Sequence, residues 1–272
     1  MYRLDNKVAV VTGAGSGIGR ALALQLAGKG CRLALSDIKA DALAETAAML
    51  PSPPYTQTVD VADRDAVFAF ADAVKRECGG AHVIINNAGV ALAQTIENMS
   101  FEDFEWLMNI NFWGVVYGTK AFLPTLRAQD DGVIVNLSSI FGIIAVPTQG
   151  AYHSAKFAVR GFTETLRQEL DGSGVSAVCV HPGGIRTNIA RNARHYVDSL
   201  GNTDAGKAVA QFDKIARTTA DEAARVIIDG IERRRPRVLI GTDAKLLDRI
   251  QRWAPVNYPR ILGALLKRLR DR

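Results

Sequence analysis

The chain has 272 residues, 48% apolar and 22% charged, with a net charge of +5. That balance excludes intrinsic disorder, and no apolar run approaches the ~20 residues that would cross a bilayer. The charge is uneven, +8 over residues 230–272 and −3 over the rest; the basicity is terminal and lacks a DNA- or RNA-reading motif, which argues against a nucleic-acid partner.

The N-terminus runs almost directly into an apolar strand and a glycine turn, without the basic-then-apolar layout of a secretory signal. "KVAVVTG" (7–13) predicts a strand and "IGRALALQLAGKG" a helix ending on glycine. A second strand follows at 32–37, a helix over "KADALAETAAML", a third strand at 55–61 and a helix over 63–77. "AHVIINNAG" (81–89) is a continuous apolar run, as suits a parallel sheet buried on both faces. A long helix is expected from about Phe101 to Leu126, with Pro124 near its end. Strands at 132–139 and 174–184 flank a helix beginning near Tyr152, and "PRVLIG" (236–241) is the last strand. Thr219 and Glu222 in "TADE" form a capping-box match. Strand–helix alternation predicts one doubly wound α/β domain, Rossmann-like, with a parallel sheet and right-handed crossovers. Its expected extent is 1–241, followed by a basic helical C-terminal extension at 242–272. The polar, irregular stretch 188–217 is long for a connection and is expected to be a lid. Cys31, Cys78 and Cys179 lie far apart; an odd count predicts reduced, mostly buried thiols and a cytoplasmic protein. No His/Cys/Asp cluster has ligand spacing, so no metal is expected.

"VVTGAGSGIGRAL" (10–22) sits between the first strand and the first helix, with Gly13, Gly17 and Gly19 in place of the common G-x-G-x-x-G. Glycine there lets backbone approach a pyrophosphate at a helix N-terminus, where free amides and the dipole favour anions. The second strand ends in Asp37, 18 residues past Gly19, where a carboxylate can accept ribose hydroxyls and repels a 2′-phosphate. Neither Ser16 nor Ile38 offers that phosphate a positive charge, although Arg20 and Lys39 are near. NAD is favoured over NADP.

"TGAGSGIG" (12–19), "NNAG" (86–89), "YHSAK" (152–156) and "HPGGIRT" (181–187), in this order and spacing, resemble the short-chain dehydrogenase/reductase family from about residue 5 to 241. The resemblance implies that Gly13, Ser16, Gly17, Ile18, Gly19 and Asp37 bind the cofactor. Asp60 and Val61 would lie by the adenine, and Asn87, Ala88 and Gly89 by the adenosine ribose. Pro182, Gly183, Ile185 and Thr187 would line the nicotinamide, with Thr187 on its carboxamide. The implied catalytic group is Asn111, Ser139, Tyr152 and Lys156. Ser139, thirteen residues before Tyr152, is chosen over Ser138 by the family spacing. Asn111 would position a water leading to Lys156, and Lys156 would also hold the nicotinamide ribose. Lys156 lies one helical turn from Tyr152, so both point the same way. A nearby ammonium stabilises a phenolate, as does the positive end of a bound nicotinamide, and the Tyr152 pKa is expected to fall toward the working range. His153 and His181 are read as structural.

The activity implied is reversible hydride transfer between a secondary alcohol and its ketone, with Tyr152 as acid or base. The apolar "IFGIIAVPTQ" (140–149) suits a hydrophobic substrate, steroid, cyclic or acyl-chain, although Phe141 and Ile144 could equally be core. An NADPH-dependent 3-oxoacyl thioester reductase and a non-catalytic NAD-binding redox sensor remain alternatives. The family's habit implies a homotetramer or homodimer through the helices at 101–126 and 152–170, with an apolar face around Phe157 and Leu166. Residues 258–270 set Ile261, Leu262, Leu265, Leu266 and Leu269 on one face and cations on the other, a pattern compatible with weak peripheral membrane contact.

Overall fold

The structure, a computed structural model, describes residues 1–198, 201 and 203–263. Strands β1 (Val8–Thr12), β2 (Arg32–Asp37), β3 (Tyr55–Thr58), β4 (Val83–Asn86), β5 (Gly132–Leu137), β6 (Val175–Pro182) and β7 (Arg237–Ile240) form one sheet. Its order is β7-β6-β5-β4-β1-β2-β3 and every pairing is parallel. The helices are α1 (Gly17–Gly28), α2 (Ala40–Ala48), α3 (Arg64–Cys78), α4 (Phe101–Met108), α5 (Gly114–Gln129), α6 (Gly150–Glu169), α7 (Ala205–Ile215), α8 (Ala220–Glu232) and α9 (Thr242–Trp253). The architecture is the expected doubly wound, Rossmann-like α/β domain.

Strand side chains alternate between two cores, as the pleat requires. Ala9 and Val11 of β1 face Leu22 and Leu26 of α1, Leu43 of α2 and Ile227 of α8. Val8 and Val10 face Phe70 of α3, Phe122 of α5 and Leu166 of α6. Leu166 is therefore core; of the apolar face expected around Phe157 and Leu166, only Phe157 is exposed.

Several boundaries differ from the sequence pattern. The third strand stops at Thr58. The helix expected over 101–126 runs on to Gln129 and contains a π turn over Asn109–Trp113, with Pro124 inside α5. The 188–217 segment is only partly irregular: Asp204 caps α7 by accepting the Gly206 and Lys207 amides, and Arg194–His195 pairs in parallel with Leu92–Ala93. The capping box at Thr219 and Glu222 forms as read. Beyond β7, α9 packs on the body of the fold, residues 254–257 break it, and 258–263 are helical again. Leu265, Leu266 and Leu269 lie outside the described residues. No helix among the described residues is long and apolar enough to cross a membrane.

A buried polar chain ties the strand ends to α6. The Asn86 amide donates to Asn136 Oδ1 at 2.8 Å, and the Asn136 amide donates to Thr163 Oγ1 at 3.0 Å. Gly118 of α5 leaves room for it, because a Cβ there would collide with Asn86 Oδ1. Gly→Ala inside a helix normally stabilises by about 0.5–1 kcal/mol. For Gly118→Ala we expect the opposite sign, a loss of about 1–3 kcal/mol from displacing a buried, bonded amide, read as a lower midpoint in urea unfolding.

Candidate active site

The carboxyl ends of β1 and β4 open a crevice where the strand order reverses. At β1 the chain turns through Gly13, at φ 65°, and Gly17, at φ 52°; both lie in the left-handed region that glycine enters without strain. A Cβ on Gly13 would lie 2.8 Å from Ala88 Cα, so the glycine turn and the "NNAG" turn touch through backbone. Asn87 fastens them: its amide donates to the carbonyls of Thr12 at 2.9 Å and Gly13 at 3.2 Å. The Thr12 hydroxyl accepts the backbone amides of Asn87 and Ala88, each at 3.1 Å. Ser16 precedes α1 in extended backbone, and its side chain does not cap the first-turn amides.

Asp37 accepts the Gly15 amide on one carboxylate oxygen at 2.8 Å and the Lys39 amide on the other at 2.9 Å. Arg20, counted in the sequence as a cation near the crevice, is committed internally. Its guanidinium donates to Gly15 O at 2.5 Å, Thr46 Oγ1 at 2.9 Å and Glu45 Oε2 at 2.9 Å. Asp60 is exposed and accepts the Ala62 amide. Val61 turns its side chain inward onto Gly114, so any adenine contact falls to its backbone. Across the crevice, Thr187 stands over the turn, its methyl 3.1 Å from where a Cβ of Gly17 would be. Pro182 closes β6, and Ile185 is buried in the short pairing of Ile185–Arg186 with Thr218–Thr219.

This geometry fits a dinucleotide. A Cβ at Gly13 or Gly19 would collide with Ala88 or with the Gly13 carbonyl, so only glycine lets the turn close this tightly; the α1 amides face the crevice uncapped, and a carboxylate stands at the end of β2. The residues that would hold it are the glycine turn for the pyrophosphate, Asp37 for the adenosine ribose and Lys156 for the nicotinamide ribose.

On the Gly89 side of the crevice, β5 and α6 bring Ser139, Tyr152 and Lys156 together. The Ser139 hydroxyl hydrogen-bonds that of Tyr152 and accepts the Phe141 amide at 3.1 Å. Ser138 instead donates to Lys156 O at 2.8 Å, a packing role. Tyr152 is half-buried, edge-on to Phe141 at 6.2 Å. Lys156 is only 4% exposed; its Nζ donates to Leu137 O at 2.9 Å and lies 5.6 Å from the Tyr152 ring centre. Asn111 sits in the π turn, which explains a mid-helix asparagine that propensity does not favour. Its carboxamide pairs with Val90, accepting the amide at 2.8 Å and donating to the carbonyl at 2.9 Å. Gly89 lies between Asn111 and Lys156, a Cβ there being 3.1 Å from Asn111 Oδ1 and 3.7 Å from Lys156 Nζ.

The expected fall in the Tyr152 pKa is not what the protein alone produces. Burial pushes the phenol up to about 12, against a downward pull from the Ser139 bond. Burial likewise pushes the Lys156 ammonium down to about 8. Each group resists its own charge.

The two histidines brace the site. His153 accepts the Val146 amide at Nε2 at 2.9 Å, and its Nδ1 lies 3.0 Å from Phe141 O, which shapes the 141–146 loop. His181 Nδ1 is 3.0 Å from Ser139 O, and burial holds that ring down at about 4, hence neutral. Of the apolar loop, Ile144 is core, packed with Ile140 and Ile143, whereas Phe141 is half-buried against Tyr152. Asp103 and Arg194 were missed in the sequence. Arg194 donates to Asp103 Oδ1 at 2.6 Å and stacks 3.8 Å over Trp106, which clamps the 188–198 segment to α4. Among the described residues, no group of three or more His, Cys, Asp or Glu could hold a metal.

An open, doubly wound parallel sheet with a glycine-lined crevice at the point of strand reversal is a Rossmann-like α/β protein, and that is the class the fold assigns. The family model for short chain dehydrogenases matches residues 7–198. SadH of Mycobacterium tuberculosis, whose name places it among oxidoreductases without naming a substrate, is 46% identical over 271 residues, 97% of this chain and 96% of its own. The crystal structure of a short-chain dehydrogenase/reductase from Burkholderia phymatum in complex with NAD superposes with a TM-score of 0.86 at 30% identity, covering 93% of this chain and 95% of the other. An alcohol dehydrogenase from Thermococcus sibiricus complexed with 5-hydroxy-NADP gives 0.70 at 27% identity, covering 82% and 89%. The chain belongs to the short-chain dehydrogenase/reductase family and is an oxidoreductase of that family.

Lys156 is expected to leave a pH signature on stability. Its folded pKa is about 8 against an ordinary 10.5, so between those values the unfolded chain holds the extra proton and stability rises with pH. Lys156→Met lacks that rise. The stability of wild type relative to the variant should therefore improve by on the order of 3 kcal/mol across this window, measured by denaturant titration. A difference independent of pH refutes the shift.

Proposed function

We propose that the protein is an NAD-dependent oxidoreductase interconverting a hydrophobic secondary alcohol and its ketone. One observation carries this: Ser139, Tyr152 and a buried Lys156 converge on the Gly89 side of the glycine-lined crevice. A bound nicotinamide supplies or takes the hydride.

The chain's own residues orient the substrate and handle its proton. Ser139 holds the substrate oxygen, and Tyr152 gives or takes a proton there. A phenol near 12 is fully protonated at neutral pH, so in ketone reduction Tyr152 is ready as the acid. Below about 8 the Lys156 ammonium is charged, so it stabilises the phenolate left after the transfer. Alcohol oxidation needs the phenolate first, which requires both that ammonium and the positive end of the oxidised nicotinamide. Asn111 holds the Val90 backbone beside Lys156 and so fixes the wall behind it. Phe141, edge-on to Tyr152, is the apolar side of the substrate space.

Three features support NAD over NADP: the carboxylate of Asp37, the internal commitment of Arg20, and the NAD complex of the Burkholderia relative. Phe157 and Trp113, 41% and 43% exposed, support assembly as a dimer or tetramer through α4–α5 and α6. The reduced cysteines support a cytoplasmic setting.

A second reading, an NADPH-dependent 3-oxoacyl thioester reductase, has in its favour the cleft at Arg186, Thr187, Asn188, Arg191 and Asp213. There Arg191 pairs with Asp213 and Arg186 donates to Ala216 O, and the remaining N–H groups of both could meet a phosphate-bearing carrier. Initial rates with NADH and NADPH separate the two; a strong NADPH preference overturns the Asp37 argument. With a working ketone or alcohol, Tyr152→Phe should lower kcat by about 10²–10⁴-fold with little change in nucleotide affinity. Near wild-type turnover in that variant would remove Tyr152 from the chemistry.

A further inference from the structure

The loop leaving β6, "HPGGIRT", must place Thr187 over the glycine turn, and its backbone needs acceptors to hold that course. The Gly183 amide donates to Ile240 O at 2.9 Å, an extension of the β6–β7 ladder. The Gly184 amide lies beyond the ladder. It donates to Asp243 Oδ2 at 2.7 Å, a side chain 59 residues further on, in the first turn of α9. An acidic residue in a first helical turn is common for reasons of the helix dipole alone. Here, however, the bond goes to the loop.

The surroundings are shaped to this carboxylate. A Cβ on Gly183 would collide with both Asp243 oxygens, and one on Gly241 would collide with Oδ1. Gly241 also turns at φ 94°, a conformation side chains rarely adopt. The helix carrying Asp243 is itself fixed. Ala244 is buried with Ile140, Ile143 and Ile144, and Leu247 packs on that cluster. Asp248 receives Arg237 at 2.6 Å and Arg252 at 3.2 Å. Asp243 thus ties the "PGG" turn to the same rigid support that backs the loop after Ser139.

We propose that Asp243 is a positioning residue for the nicotinamide end of the cofactor site. Its carboxylate holds the Gly183–Gly184 turn and thereby sets Thr187 against Gly17, while the adenosine end at Asp37 and Asn87 is held by separate bonds. This rests on the dinucleotide reading above.

The test compares the whole dinucleotide with the fragment that lacks nicotinamide. Wild type, Asp243→Ala and Asp243→Asn are titrated with NAD and with ADP-ribose by calorimetry, and thermal melting checks each fold. Asp243→Ala should weaken NAD by about tenfold and ADP-ribose by less than about twofold, the loss of one charge-assisted bond at one end. Asp243→Asn keeps an acceptor oxygen and should fall within about threefold of wild type for NAD. If Asp243→Ala does not fold, Asp243→Ser, which keeps a polar group in the helix turn, carries the same expectation. Equal weakening of both ligands, or of neither, overturns the proposal. Failure of the underlying reading looks different: wild type would then bind no dinucleotide at all. A wild type preferring NADP overturns only the choice of cofactor, and the comparison is made with NADP and 2′-phospho-ADP-ribose.

Discussion

Parallel pairing of seven strands is the constraint on which the rest depends. It puts every carboxyl end on one edge, so residues from distant parts of the sequence arrive together without any long-range design of their own. Thr12 and Gly13 leave β1, Asp37 leaves β2, Asn86 and Asn87 leave β4, Ser139 follows β5 and Pro182 ends β6. The order reverses at β1, and the crossovers from β1 and β4 lie on opposite faces, which keeps the space above β1 and β4 open. The crevice is a consequence of topology. Side chains decide what may enter it.

An edge of strand ends is only approximately placed, and buried polar groups make it definite. Asn86, Asn136 and Thr163 form a chain from β4 through β5 into α6. Left unpaired, each buried amide would cost about 1–3 kcal/mol, so the pairing selects one rotation and height for α6. That rotation aims Tyr152 and Lys156 at the end of β5. Asn111 does the same for the loop after β4 by pairing with both backbone groups of Val90. The π turn around it is the local departure that brings a helical asparagine into that reach.

What was legible in the sequence follows from these causes. Strands buried on both faces read as continuous apolar runs, and a turn that needs positive φ reads as glycine, so the sheet and the Gly13–Gly19 turn stood out. Tyr152 and Lys156 were legible because a single helical turn separates them, and Ser139 through the family's spacing to Tyr152. The π turn was not, since one extra residue in a helix leaves no period to detect. Arg20 looked like a free cation, because nothing local shows that Gly15, Glu45 and Thr46 converge on it. Leu166 and Phe157 share an apolar helix but not a face toward solvent. Asp243 carried no signal at all: its meaning depends on an amide 59 residues away. Asp204 did carry one, as a capping residue before an amphipathic run, hidden within a polar stretch.

The electrostatics of Tyr152 and Lys156 run against the simplest account of such a pair, in which the lysine draws the tyrosine down. In this protein both are pushed toward neutrality, and for the same reason: burial opposes the charged form of each. Burial also strengthens the effect of any charge that enters beside them. A group brought in with a positive end would stabilise the phenolate strongly, yet would also oppose the Lys156 ammonium. The two effects differ in distance and partner. Lys156 is anchored on the Leu137 carbonyl, which favours its charged form; the Tyr152 hydroxyl has the Ser139 hydroxyl, which favours the phenolate. Both bonds therefore point toward the ion pair that burial opposes. At neutral pH the phenol therefore rests protonated beside a charged Lys156 whose ammonium burial has weakened, so proton movement at Tyr152 becomes conditional on what occupies the crevice beside it.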